Sequence, residues 1–200
     1  MRMTPIETDV PGRGPERLKF FGLCMSQNQN ALAAFNMIFE EYGPFKQIIE
    51  IGTGNGGLSV LFHIYALTTG ARFTTFDNKP RNNQLLQELD VDCWHGSCWD
   101  FQKDIALMIR QPGRTFVFCD GGDKPKELAV FSEHLKSGDL IAVHDYAPSR
   151  DFYKHVMLHN IWDWCEVTWE MIEPAVNKYG LEVIEQQIGW LSAMCILQKK

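Results

Sequence analysis

The chain has 200 residues, 45% hydrophobic and 22% charged, with a formal net charge of -6. That length suits one domain with a full hydrophobic core, and these proportions are those of a globular protein rather than a disordered one. The acid excess, with no clustered run of Lys and Arg, argues against a nucleic-acid backbone as the main partner.

Residues 1–15 are polar and rich in Pro and Gly, which reads as a flexible lead-in without the apolar core of a signal peptide. Ser26 followed by Gln29 has capping-box spacing and opens a helix through Ala33, Phe35, Ile38 and Phe39, ending near Gly43-Pro44. An alternation follows. Strands are expected at Gln47–Ile51, Arg72–Phe76, Val91–His95, Arg114–Cys119 and Leu140–Val143. Helices are expected between them at Leu58–Leu67, Arg81–Glu88, Phe101–Arg110 and Lys126–Leu135. Short, nearly continuous apolar runs separated by helical patterns indicate βαβ units and a parallel sheet covered on both faces. Residues 152–178 depart from the alternation as a longer helical region holding Trp162, Trp164 and Trp169. Two final strands, Leu181–Glu185 and Leu191–Gln198, are expected to form an antiparallel hairpin about a Gly189-Trp190 turn. With no repeat or linker, residues 1–200 read as a single domain.

Cys24, Cys93, Cys98, Cys119, Cys165 and Cys195 form no CxxC pair and no zinc-like spacing, which favours a reducing compartment and a cytoplasmic protein. No apolar stretch approaches the roughly 20 residues of a membrane span.

Ligands of an open α/β sheet bind at the carboxyl ends of its strands, so the residues after each apolar run carry the functional information. Glu50-Ile51 runs into Gly52-Thr53-Gly54-Asn55-Gly56-Gly57 before the next helix. Glycine tolerates positive φ and leaves no Cβ between backbone and ligand, and a turn into a helix N-terminus presents N–H groups to whatever binds there. Asp77 follows the second run, Gly96-Ser97-Cys98-Trp99 the third, Asp120-Gly121-Gly122-Asp123 the fourth, and His144-Asp145 the fifth. One such Asp is ordinarily a cap or turn former; five consecutive strand ends so equipped indicate a site. Gly52, Gly54 and Gly57 satisfy GxGxxG and Asp77 lies 20 residues past Gly57, so a dinucleotide is one reading. Glu50 weighs against it. A pyrophosphate wants N–H donors without a nearby carboxylate.

Glu50 with Gly52-x-Gly54-x-Gly56 resembles the first motif of the class I S-adenosylmethionine-dependent methyltransferases, and Asp77 resembles that family's ribose-binding acid. Gly96-Ser97-Cys98-Trp99-Asp100 looks like its adenine-packing segment. Phe116–Asp120 and Ser137–Tyr146 resemble the metal-associated half of the catechol-type O-methyltransferases. They resemble more closely still the cephalosporin hydroxylase-like and macrocin O-methyltransferase-like branch, with its terminal His-Asp. The resemblance spans residues 26 to about 198. It implies a three-layer α/β sandwich with a seven-stranded, mostly parallel Rossmann-like sheet in order 3-2-1-4-5-7-6, the last strand antiparallel.

The resemblance further implies a methyltransferase that uses S-adenosyl-L-methionine on an oxygen of a small-molecule acceptor. Glu50, Gly52, Gly54 and Gly56 would hold the methionine and sulfonium side, Asp77 with Asn78 the ribose, and Ser97, Cys98 and Trp99 the adenine. Asp120, also counted as cofactor-binding, would act with His144 and Asp145 as the catalytic set and as ligands of Mg²⁺ or Mn²⁺, lowering the acceptor hydroxyl's pKa. His144 is alternatively a general base acting without metal. Lys124 and Lys126 lie near the lysine such enzymes carry after the fourth-strand Asp, out of clear register with it. The rival readings are an NAD-dependent oxidoreductase or epimerase and a non-catalytic S-adenosylmethionine-binding accessory protein. Gln27 and Asn28 read as cover for the methionine end or as helix caps. Trp162, Trp164, Trp169 and Trp190 read as packing or as a homo-oligomer contact, and residues 146–178 as the acceptor side.

Overall fold

The computed structural model describes residues 18–79 and 83–200; the expected lead-in and the expected helix start at Arg81 lie outside them. A small hairpin, β1 (Lys19–Phe20) with β2 (Leu23–Cys24), precedes helix α1 (Asn30–Tyr42). Strict alternation follows: β3 (Gln47–Ile51), α2 (Gly57–Thr69), β4 (Arg72–Asp77), α3 (Gln84–Glu88), β5 (Asp92–His95), α4 (Gln102–Ile109), β6 (Thr115–Cys119), α5 (Lys124–Ser132) and β7 (Leu140–His144). The last third holds β8 (Tyr146–Ala147), α6 (Arg150–Phe152), a π-helical turn at Tyr153–Met157, β9 (Val167–Thr168), α7 (Trp169–Tyr179), β10 (Leu181–Ile184), α8 (Gln186–Leu191) and β11 (Met194–Lys199).

Seven strands form one sheet in spatial order β10-β11-β7-β6-β3-β4-β5. Numbered along the chain and read from the β5 edge, this is the expected 3-2-1-4-5-7-6. β11 runs antiparallel to β7 and β10, and the remaining pairs are parallel. Every residue of β3, β6 and β7 is buried, because helices cover both faces. Phe35 and Ile38 of α1 and Phe62 of α2 pack on one face. Ile105 and Ile109 of α4, Leu128 and Phe131 of α5 and Ile172 of α7 pack on the other. Each such side chain contributes roughly 1.5–3 kcal/mol by leaving water. The chain runs outward from β3 to β5 and then returns to β6 beside β3, so the order reverses between β3 and β6. That reversal opens the crevice in which such sheets bind ligands.

Three local expectations are corrected. α1 starts at Asn30, and Asn28 Oδ1, not Ser26, accepts its first N–H at 3.0 Å. The expected helical region at 152–178 breaks into short pieces before α7, and β9 pairs parallel with β8. The expected Gly189-Trp190 turn is helix α8, where Gly189 comes so close to β11 that a Cβ would lie 2.8 Å from Met194 O.

A buried carboxylate ties the far edge of the core. Asp139 accepts the N–H groups of Thr115 and Lys136 at 2.8 Å each, and the Lys136 ammonium at 2.7 Å. Asp139→Ala leaves those donors unpaired, so the expected loss is about 3 kcal/mol, seen as a lower urea midpoint at unchanged slope.

Candidate active site

The loop after β3 is built around itself. Gly52 and Thr53 donate their N–H groups to Phe76 O at 2.8 and 3.3 Å, and Gly56 donates to Thr53 O at 2.9 Å. The Gly54 N–H donates to Asp77 Oδ2 at 2.9 Å. This corrects the expectation that the turn presents its N–H groups to a ligand. Four donors that a pyrophosphate would claim are already used. Gly52, at φ +100°, passes so close to β6 that a Cβ would lie 2.2 Å from Asp120 O. Gly54, at φ +55°, faces open space.

Glu50 is fully buried at the sheet end of this loop. Its Oε2 accepts Ser59 Oγ at 2.5 Å and Thr75 Oγ1 at 2.7 Å, while Oε1 has no partner. Burial pushes its pKa up to about 8, against the two hydroxyl donors, with Asp120 and Asp77 adding to the rise. Glu50 therefore carries a proton at neutral pH until a cation arrives.

Glu50, Gly52, Gly54, Asp77, Asn78, Ser97, Cys98, Trp99 and Asp120 line one cavity of about 430 Å³. Nine of the expected residues thus meet at the sheet's switch point. Gly56 faces the other way, toward Leu86 and Asn83 of α3 and its cap. Asp77 Oδ1 also accepts the Lys79 N–H at 2.8 Å, so this acid shapes both the loop and the ribose side. Burial raises the Cys98 thiol to about 12, which makes it wall rather than nucleophile. Trp99 already carries the Lys126 ammonium 4.3 Å over its ring, so one face is taken. Among the described lining residues are five acidic side chains, Glu50, Asp77, Asp120, Asp123 and Glu127, against the single cation Lys79. Such a lining suits a cationic ligand and repels a pyrophosphate.

Behind Asp120, outside that cavity, lies a polar cluster. His144 Nδ1 is 3.2 Å from Asp120 Oδ1 and 3.4 Å from Asp145 Oδ1. Burial pulls the imidazole pKa down, but Asp120 and Asp145 outweigh it and the net shift is upward. Asp145 sits in left-handed backbone at φ 54°. Its Oδ1 accepts Trp162 Nε1 at 2.6 Å and its Oδ2 faces Lys124 Nζ at 2.9 Å. Burial alone would raise the Asp145 carboxyl, yet His144 and Lys124 hold it below its ordinary value. Gln27 Nε2 donates to Asp120 Oδ2 at 3.0 Å.

One atom each of Asp120, His144 and Asp145 lie within 4.8 Å of one another, a spacing that a divalent ion could bridge. The donors themselves do not fit one. All four carboxylate oxygens face hydrogen-bond donors or the Lys124 ammonium, and the histidine nitrogen turned to the cluster lies between two acceptors, where it must carry a proton. A metal ligand needs that lone pair.

Of the two lysines near the fourth-strand Asp, Lys124, four residues after Asp120 at the start of α5, is the one whose ammonium enters the cluster. Gln27, expected as cover for the methionine end or as a helix cap, instead reaches Asp120 across 93 residues of chain. Trp162 is expected as packing or as a subunit contact; its indole N–H on Asp145 follows from the path of residues 148–166, for which no local signal exists.

The sheet order, the antiparallel last strand and the acid-then-glycine loop define the class I methyltransferase fold. No family model matches the chain and no curated protein matches it in sequence. Among solved structures it is similar to CmcI with Mg and SAM, at TM-score 0.63 and 16% identity over 98% of this chain and 89% of that one. Apo CmcI aligns at TM-score 0.61 and 15% identity over 99% and 89%. MycE methyltransferase from the mycinamycin biosynthetic pathway, in complex with Mg and SAH, aligns at TM-score 0.54 and 12% identity over 86% and 50%. At these identities the likeness is one of fold. No helix among the described residues is long and apolar enough to cross a membrane.

Proposed function

We propose that the chain is an S-adenosylmethionine-dependent methyltransferase acting on an oxygen of a small molecule. The observation that carries this reading is the acid-lined cavity at the β3/β6 switch point, where the loop N–H groups are spent internally and a buried Glu50 oxygen lacks a partner. Solved structures of similar fold hold SAM or SAH, which supports the same donor here. Glu50 and the loop would face the sulfonium side, Asp77 and Asn78 the ribose, and Ser97 with Cys98 the adenine.

The bound donor would supply a sulfonium methyl for in-line transfer to the acceptor oxygen. Within the Asp120–His144–Asp145 group, Asp120 alone also lines the cavity, so it receives the hydroxyl proton as the new C–O bond forms. His144 holds Asp120 through Nδ1, and Lys124, 3.5 Å from the same oxygen, fixes that carboxylate from behind. Trp162 and Glu166 bring the 146–178 segment onto this cluster, which supports assigning it the acceptor side of a single 1–200 unit. All six cysteines are unpaired thiols, in keeping with a reducing, cytoplasmic setting.

Calorimetric titration with S-adenosylhomocysteine tests the reading. Binding in the micromolar range is expected, and tight binding of NADH with none of the homocysteine compound would refute it. Asp77→Ala removes both the ribose acceptor and the partner of the Gly54 N–H. Its expected cost is about 2 kcal/mol, or roughly thirtyfold in the same titration.

A further inference from the structure

We propose that the Lys124 ammonium is the resident cation of the Asp120–His144–Asp145 cluster, holding the place a divalent ion would otherwise take. The inference concerns the cluster alone and stands whether or not the chain transfers methyl groups. Lys124 is only 4% exposed. Its Nζ lies 2.9 Å from Asp145 Oδ2, 3.5 Å from Asp120 Oδ1 and 2.5 Å from Glu166 Oε2.

Two physical preferences oppose that placement. Lys124 opens α5, and a helix N-terminus favours anions over cations. Withdrawing an ammonium from water is costly unless it is paired. A lysine with those two penalties stays buried because three carboxylates hold it there.

The rest of the cluster is arranged around this cation. Trp162 Nε1 occupies Asp145 Oδ1 at 2.6 Å, and Gln27 Nε2 occupies Asp120 Oδ2 at 3.0 Å. Those neutral donors point at the oxygens that Lys124 leaves over. His144 turns Nδ1 toward the two carboxylates, while Nε2 is buried without a partner. With Nδ1, the ring nitrogen that faces the two carboxylates, acting as donor, the atoms turned to the cluster that are left for an ion are oxygens already bonded. An added divalent charge would also lie beside a fixed positive one, and like charges repel strongly at such range in a site this dry.

The test is Mn²⁺ binding, followed by loss of the free-ion paramagnetic resonance signal and independent of any activity. The wild-type protein is expected to bind none through the millimolar range. Lys124→Met opens the place and leaves the acids uncompensated, so it should gain one site at least roughly tenfold tighter than any wild-type binding. Adding Asp120→Asn should remove that site. A wild-type Mn²⁺ site that disappears in Asp120→Asn would overturn the proposal, as would a folded Lys124→Met that binds no ion. Should Lys124→Met fail to fold, the ¹⁵Nζ resonance of Lys124 in the wild-type protein decides. It is expected to stay in place as Mg²⁺ is added, and its displacement by Mg²⁺ would count against the inference.

Discussion

Gly52→Ala is expected to lower stability by about 4 kcal/mol and to abolish S-adenosylhomocysteine binding. Two effects combine at this position. The backbone sits at φ +100°, where a residue with a Cβ is strained by roughly 1–3 kcal/mol. The new methyl would also lie 2.2 Å from Asp120 O and 2.6 Å from Asp120 C, both backbone atoms on a strand end that cannot turn aside. Forced overpacking of this kind costs about another 1–3 kcal/mol. β3 and β6 pair along their whole length, so relief would require parting the two central strands of the sheet. Gly54→Ala is the control. Its φ of +55° carries only the milder left-handed strain, and no atom stands within 4 Å of the added carbon. That variant should fold with a loss of about 1 kcal/mol and weaken the cofactor chiefly by narrowing the cavity. Chemical denaturation of the two variants side by side separates the effects, and equal losses would show that contact with Asp120 is not what demands glycine at position 52.

Glu50→Gln is expected to flatten the pH dependence of stability between about 4.5 and 8. Burial raises this carboxyl from an ordinary 4.5 to about 8 in the folded protein. A raised carboxyl means that the folded state binds the proton more tightly than the unfolded chain. Its stabilising contribution is therefore complete below 4.5 and is lost as pH climbs through 8. Each tenfold change in acidity is about 1.4 kcal/mol, so the unliganded wild-type protein should lose several kcal/mol across that window. The glutamine variant, which cannot ionise, should keep them. The same proton should also report on the ligand. A sulfonium beside Glu50 favours the carboxylate, so binding S-adenosylmethionine at neutral pH should release a proton that binding to Glu50→Gln does not. Calorimetry in buffers of different ionisation enthalpy measures that release. Equal proton counts for the two proteins would show that Glu50 does not face the donor's charge.

The parallel core was legible in the chain because its strands are short apolar runs broken by helical patterns. The functional strand ends were legible because each run stops at an acid, a histidine or a glycine. The last third was harder to read. Leu191–Gln198 alternates weakly and was taken as strand from its start, yet residues 186–191 form a helix packed against β11. Gln186-Gln187-Ile188-Gly189-Trp190-Leu191 has too few apolar positions to fix a period until packing chooses one.

The glycine loop shows where local signal ends. Glu50, Gly52, Gly54 and Asp77 mark a ligand site from the sequence alone, since residue type and spacing are local properties. Whether the loop's N–H groups point outward or inward is not local. Phe76 O and Asp77 Oδ2, on the neighbouring strand, accept three of them, and the loop is thereby an acidic wall instead of an anion cradle. The acceptor side goes further in the same direction. The resemblance grouped Asp120, His144 and Asp145, and their places at adjacent strand ends agree with it. It could not say what neutralises them. Gln27, Lys124 and the Trp162–Glu166 stretch come from three separate parts of the chain, and only the closing of helices and loops over the sheet carries them to one point. By itself the sequence determined the strand alternation, the glycine turn and the residues at the strand ends, because near-neighbour sterics and hydrophobic period fix those. The tertiary structure alone decided the charge balance around them, since buried charges are matched by whatever partners folding brings within a few ångströms.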